Sequence, residues 1–119
     1  MPTLILVEDC EDVRGFLESA LGAHFEVRAF ASVAAAIDAL GEATPQFVLS
    51  DLDVEHANGE ELARAAVRLA IRPRVILMSG DWQRLERAAA QADAILRKPF
   101  SLLELWTAVA PISSPAGAD

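Results

Sequence analysis

In this chain the residues able to do chemistry stand immediately after apolar runs. Glu8 and Asp9 follow Leu4-Ile5-Leu6-Val7, and Asp51 ends Phe47-Val48-Leu49-Ser50 with Asp53 two residues on. Ser79 and Asp81 follow Val75-Ile76-Leu77-Met78, while Lys98, itself followed by Pro99, ends Ala94-Ile95-Leu96-Arg97. If these runs lie side by side, carboxylates distant in sequence converge. Two like charges about 4 Å apart repel by about 4 kcal/mol at an effective dielectric of roughly 20. Such a group either titrates at raised pH or holds a cation. Oxygen donors alone, few in number, suit Mg2+, which keeps several waters and takes one or two carboxylates plus phosphate oxygens. Lys98 and Ser79 then fit a phosphoryl group, one as a point charge and the other as a hydrogen-bond donor.

The elements that must deliver these residues alternate in type. Strand-like runs occupy Thr3–Val7, Phe25–Phe30, Phe47–Ser50, Arg74–Met78 and Ala94–Arg97. Between them, apolar residues recur at helical spacing: Val13, Phe16, Leu17, Ala20 and Leu21, then Ala34–Leu40, Leu62–Ala70 and Leu85–Ala92. Gly41 and Pro45 are expected to close the second helix. The last helix opens on Ser101-Leu102-Leu103-Glu104, a capping box, and its buried stripe reads Leu102, Leu105, Trp106 and Val109. Strands alternating with helices imply an α/β domain with a parallel sheet covered on both faces. The first, third and fourth runs are near-continuous apolar runs, as interior strands are. The second carries Glu26 and Arg28 and belongs at an edge. In open parallel sheets ligands bind beyond the carboxyl ends of the strands, where all the residues above fall.

The stretches LILVED, FVLSDLDVEHANGEEL, RVILMSG and LRKPFSLLEL together resemble the response-regulator receiver domains of two-component signalling, over Thr3 to about Ala110. The resemblance implies a single-domain, CheY-like receiver at residues 1–112 with a flexible tail at 113–119. It implies a flavodoxin-like (βα)5 three-layer sandwich with strand order 2-1-3-4-5. Asp51 corresponds to the phospho-acceptor, Glu8 and Asp9 to the acidic pair, Ser79 to the switch hydroxyl and Lys98 to the lysine that contacts the phosphoryl group. Pro99 corresponds to the proline of a cis peptide bond, and the Asp53 backbone carbonyl to the remaining protein ligand of Mg2+. The implied partners are a sensor histidine kinase or phosphotransfer protein. A downstream protein would bind the face built from the fourth helix, fifth strand and fifth helix, and a homodimer is compatible with that face. The chain departs from the family in three places: Glu55 stands where a proline is usual, Ile95 stands at the switch position normally held by an aromatic residue, and the interval from Ser79 to Lys98 is short, so the fourth helix or its flanks are trimmed.

Several residues have plainer readings beside the functional ones. Asp53 and Asp81 are either surface charges or flank the phosphoryl site and tune its hydrolysis. His56 reads as an exposed loop residue, Cys10 as a passive helix start, and His24 has no evident partner. Trp82 either packs on the fourth helix or substitutes for the missing aromatic. Two other functions compete. One is a receiver-like interaction module that takes no phosphate. The other is a haloacid-dehalogenase-type phosphatase with Asp51 as nucleophile and Asp53 as general acid.

Composition narrows the field. A chain of 119 residues is most simply one domain. A net charge of -8 opposes direct nucleic-acid binding, which needs a basic surface. One cysteine excludes an internal disulfide and suits a reducing cytoplasm. The start lacks a basic signal-peptide region, and no apolar run approaches the ~20 residues of a membrane span. Family resemblance and an Ala- and Arg-rich composition point to a bacterial source.

Overall fold

A computed structural model describes residues 1–54 and 59–110 of the chain. Its strands are β1 (Thr3–Val7), β2 (Glu26–Phe30), β3 (Phe47–Asp51), β4 (Arg74–Ser79) and β5 (Ala94–Arg97). The helices are α1 (Glu11–Leu21), α2 (Val33–Ala43), α3 (Gly59–Val67), α4 (Trp82–Ala88) and α5 (Leu102–Val109), with a 3-10 turn at Ala89–Gln91. All strand pairs are parallel, in the order β2-β1-β3-β4-β5. The polar second run is therefore an edge, and the flavodoxin-like three-layer arrangement expected above is the one adopted.

The alternation of strand side chains divides the core in two. Ile5, Val7, Val48, Val75 and Leu77 face α2, α3 and α4, meeting Ala36, Leu40, Leu62, Ala66, Leu85 and Ala88. Leu4, Leu6, Leu49, Ile76 and Met78 face the other way, onto Leu17 and Leu21 of α1 and Leu105 and Val109 of α5. Burying one such side chain contributes roughly 1.5–3 kcal/mol. Truncating Leu77 or Ile76 to alanine would cost about 2–5 kcal/mol through the cavity left between layers.

Local signals set the helix starts. Ser101 and Glu104 form the capping box at α5, Ser32 Oγ accepts from Ala35 N at 3.1 Å, and Asp81 caps α4. Three sequence expectations are corrected. Gly41 does not close α2, which runs on to Ala43 and stops at Thr44 in a left-handed conformation (φ 41°). A single glycine costs a helix only about 1 kcal/mol, and the alanines and leucine around it carry the segment through. Phe16 and Leu102 are exposed rather than core, at 55% and 49%, because α1 and α5 each present only a narrow stripe to the sheet. His24 does have a partner: its ring meets that of Trp106 edge-on, with centroids 5.3 Å apart.

Candidate functional site

Register brings the chemistry together. Val7 pairs with Ser50 and Asp51 with Met78, so Glu8 emerges beside Asp51 at the carboxyl end of the sheet. Glu8 N donates to Phe30 O at 3.1 Å, and Leu52 N to Met78 O at 2.8 Å, prolonging the ladders past the last strand residues. Lys98 N donates to Ser79 O at 2.9 Å, which sets the lysine alongside the end of β4. The Lys98–Pro99 peptide is cis.

At the centre lies a buried ion cluster. Lys98 Nζ donates to Glu8 Oε1 and to Asp51 Oδ2, both at 2.8 Å. The carboxylates of Glu8 and Asp51 are 1% and 2% exposed, the lysine 25%. Their remaining oxygens are held by backbone: Cys10 N donates to Glu8 Oε2 at 3.1 Å, and Asp53 N to Asp51 Oδ1 at 2.8 Å. Burial pushes Asp51 from the ordinary 3.8 up to about 6; the Glu8 charge adds to this, while the bonds from Lys98 and Asp53 N oppose it. Burial also pulls Lys98 down, yet its bonds to Asp51 and Glu8 prevail and hold it above the usual 10.5. One lysine thus serves two buried carboxylates, and the cluster remains short of positive charge.

That deficit is the test for a metal. Glu8, Asp9 and Asp51 each offer a carboxylate oxygen, and these lie within 4.8 Å of one another. The donor set is all oxygen, hard and anionic, and includes a carboxyl whose titration burial, with the Glu8 charge beside it, has already displaced upward. Those features fit Mg2+.

A second polar cluster stands at the end of β4. The Ser79 side chain is fully buried; its hydroxyl donates to Asp53 Oδ1 at 2.7 Å and accepts from Asp81 N at 2.9 Å. Asp53 Oδ2 accepts from Gly80 N at 2.9 Å, and Arg84 Nη1 donates to both Asp53 Oδ1 (3.1 Å) and Leu52 O (3.0 Å). Desolvation pushes Asp53 up, but these donors, from Gly80, Ser79 and Arg84, outweigh it and hold the carboxyl below its usual 3.8.

The structure thus gathers Glu8, Asp9, Asp51 and Lys98 in one place, with Ser79 adjoining but engaged by Asp53. Asp81 is turned to other work: its Oδ1 accepts from Gln83 N (3.0 Å) and Arg84 N (3.2 Å), capping α4. Trp82 is 44% exposed, with the Arg97 guanidinium 6.0 Å above its ring. Ile95 packs half-buried against the α2–α3–α4 core layer. Cys10 is exposed at the α1 start. Glu55, His56 and the tail at 113–119 lie outside the described residues. Arg84 is the residue that sequence reasoning missed. A basic residue one helical turn into α4, opposite a carboxylate just past β3, was the available signal. An apolar cavity of about 510 Å3, lined by Phe25, Phe47 and Trp106 among others, opens at the amino-terminal ends of the strands, away from these carboxylates.

The family model described as response regulator receiver domain matches residues 4–110. Among solved structures, a signal receiver domain from Vibrio parahaemolyticus is 22% identical with a TM-score of 0.81, over 92% of this chain and 87% of that one. A response regulator receiver domain protein from Clostridium thermocellum is 19% identical with a TM-score of 0.81, covering 91% and 90%. The Vibrio cholerae chemotaxis protein CheY4 is 20% identical with a TM-score of 0.80, covering 90% and 94%. A comparison with curated proteins found no match.

Proposed function

The chain belongs to the response regulator receiver domain family, and from that premise we propose that it is a phosphorylation-controlled switch whose acceptor is Asp51. One observation carries the reading: a buried carboxylate at the end of β3 lies against Lys98 and within metal-sharing reach of Glu8 and Asp9. Mg2+ would be held by Glu8, Asp9, Asp51 and the Asp53 carbonyl, and when bound it supplies positive charge to the carboxylates and to the incoming phosphoryl oxygens.

The protein's own share of the work is positional and electrostatic. An oxygen of Asp51 forms the new O–P bond as the P–N bond of a kinase or phosphotransfer-protein phosphohistidine breaks, and the departing imidazole keeps the electron pair and takes up a proton from water. With a small acyl phosphate as donor, the bond broken is P–O. Lys98 Nζ, already 2.8 Å from Asp51 Oδ2, is placed to follow the charge onto the transferred oxygens. Ser79 supplies the hydrogen bond to the same group once its hydroxyl turns from Asp53. The added group carries about -1.5 to -2 charges if it resembles other protein phosphates. Its pull on Ser79 and Lys98 biases the face of α4, β5 and α5, where Trp82, Arg97 and Leu103 are exposed and where a target protein or a second copy would bind.

The net charge of -8 keeps nucleic acid out of this scheme. No described helix is long and apolar enough to cross a membrane, and the proposed setting is cytoplasmic. The chain has no catalytic turnover in this reading beyond its own phosphorylation and dephosphorylation. The phosphatase alternative requires Asp53 as a general acid, a poor role for a carboxyl held below its usual range by three donors.

Acetyl phosphate with Mg2+, followed by intact mass, tests the proposal. One added phosphoryl group, lost with EDTA and in Asp51→Asn, is expected; an unmodified wild-type mass overturns it.

A further inference from the structure

A hydroxyl has one proton to give, and in Ser79 it is given to Asp53 Oδ1 at 2.7 Å. To donate to a group on Asp51 the same hydroxyl must leave that carboxylate. Bonds to an ionised acceptor are the stronger kind, so this departure is opposed. Asp53 is itself restrained. Its second oxygen accepts from Gly80 N, and Arg84 grips the first oxygen while also holding Leu52 O, the carbonyl next to Asp51. Arg84 N is in turn under the Asp81 cap. Asp53 is 35% exposed, so without the guanidinium its carboxylate has open water to turn into.

We propose, resting on the receiver reading above, that Asp53 and Arg84 are positioning residues that hold Ser79 away from Asp51, so that phosphorylation proceeds against this latch. The latch also ties the start of α4 to the end of β3. Freeing Ser79 therefore loosens the joint between the acceptor loop and the first turn of α4, which carries Trp82. Release of a carboxylate clamp is the signal that passes to the exposed face, with no aromatic rotamer needed at Ile95.

Two arms test it. The first needs no phosphate: amide hydrogen exchange in the unmodified protein. Gly80 N bonds Asp53 directly, but Asp81 N bonds Ser79 Oγ. The latch predicts that Asp53→Ala speeds exchange at Asp81 by about fivefold or more, the scale of one lost hydrogen bond. Unchanged Asp81 protection overturns the latch, whether or not Asp51 accepts phosphate.

The second arm is the initial rate of phosphorylation by acetyl phosphate. Asp53→Ala should raise it about fivefold and Arg84→Gln less, in the same direction although the two changes alter charge oppositely. Both gains should vanish in a Ser79→Ala background, as a double-mutant cycle reads coupling. A gain that persists without Ser79, or opposite effects of the two variants, means simple charge repulsion of the donor and overturns the latch. Wild-type protein that takes no phosphoryl group in this arm defeats the receiver reading, leaving the exchange arm to decide the latch.

Discussion

Asp51 and Asp53 stand two residues apart, at the end of the same strand, and titrate in opposite directions. Asp51 is buried and shares one lysine with Glu8, so its proton is held up to about 6. Asp53 is one-third exposed and receives a hydroxyl, a backbone N–H and a guanidinium, so its proton leaves more readily than usual. The difference is one of donors against desolvation rather than of residue type. In the proposed switch this divides the labour: the first carboxylate, short of positive charge, would take the metal and the phosphoryl group, while the second, already satisfied, would hold its neighbours still.

The contrast can be broken most severely at Lys98. Removing the shared cation leaves two buried carboxylates facing each other, and loss of one partner from a buried ion pair costs about 3–5 kcal/mol. Lys98→Met should therefore unfold in denaturant about 3 kcal/mol early in EDTA. Mg2+ should recover a good part of that loss by binding only the folded state. Equal loss with and without Mg2+ would mean that the carboxylates do not hold the ion.

An effect of opposite sign is expected at Asp51. Its folded titration lies above its unfolded one, so the folded chain binds more protons between 3.8 and about 6, and stability falls as pH rises through that window. Asp51→Asn removes this penalty. In metal-free buffer at pH 7 to 8 it should stabilise the protein by about 3 kcal/mol, with the gain fading as pH falls through 3.8 and absent below about pH 3, where the wild-type carboxyl is protonated in both states. The same variant should lose the stabilisation by Mg2+. A variant less stable than wild type at pH 8 in EDTA would reverse the assignment.

The smallest effect sharpens the comparison. Asp53 is held below its ordinary 3.8, so its contribution is present above that value and lost as pH falls through the folded titration. Being partly exposed and screened, it is worth about 0.5–1 kcal/mol. Asp53→Asn should cost that amount at neutral pH and less in acid, the opposite sign and slope to Asp51→Asn. Parallel urea titrations of the two variants across pH read this directly.

Much of this is legible in the sequence. The β1, β3 and β4 runs are apolar enough to be interior strands, and register then forces Glu8, Asp51 and Lys98 to the same edge. The Ser101–Glu104 cap was visible because its two members lie only three residues apart in sequence. The Asp53–Ser79–Arg84 cluster was not, because its members come from three separate segments and Arg84 reaches across by side-chain length alone. Asp81 was ambiguous for a related reason. A carboxylate after a strand can face a ligand or cap the next helix, and only the backbone path into α4 decides between them. The exposure of Phe16 likewise depends on how α1 is rotated against the sheet, which helical spacing leaves open by a residue.

The proposed function turns on which carboxylate takes the phosphoryl group. Wild-type protein incubated with acetyl phosphate and Mg2+, reduced with borohydride to trap the acyl phosphate, and mapped by peptide mass spectrometry answers this at residue level. Reduction at position 51 alone is expected; trapped product at Asp9 or Asp53 instead, or none anywhere, contradicts the acceptor role of Asp51.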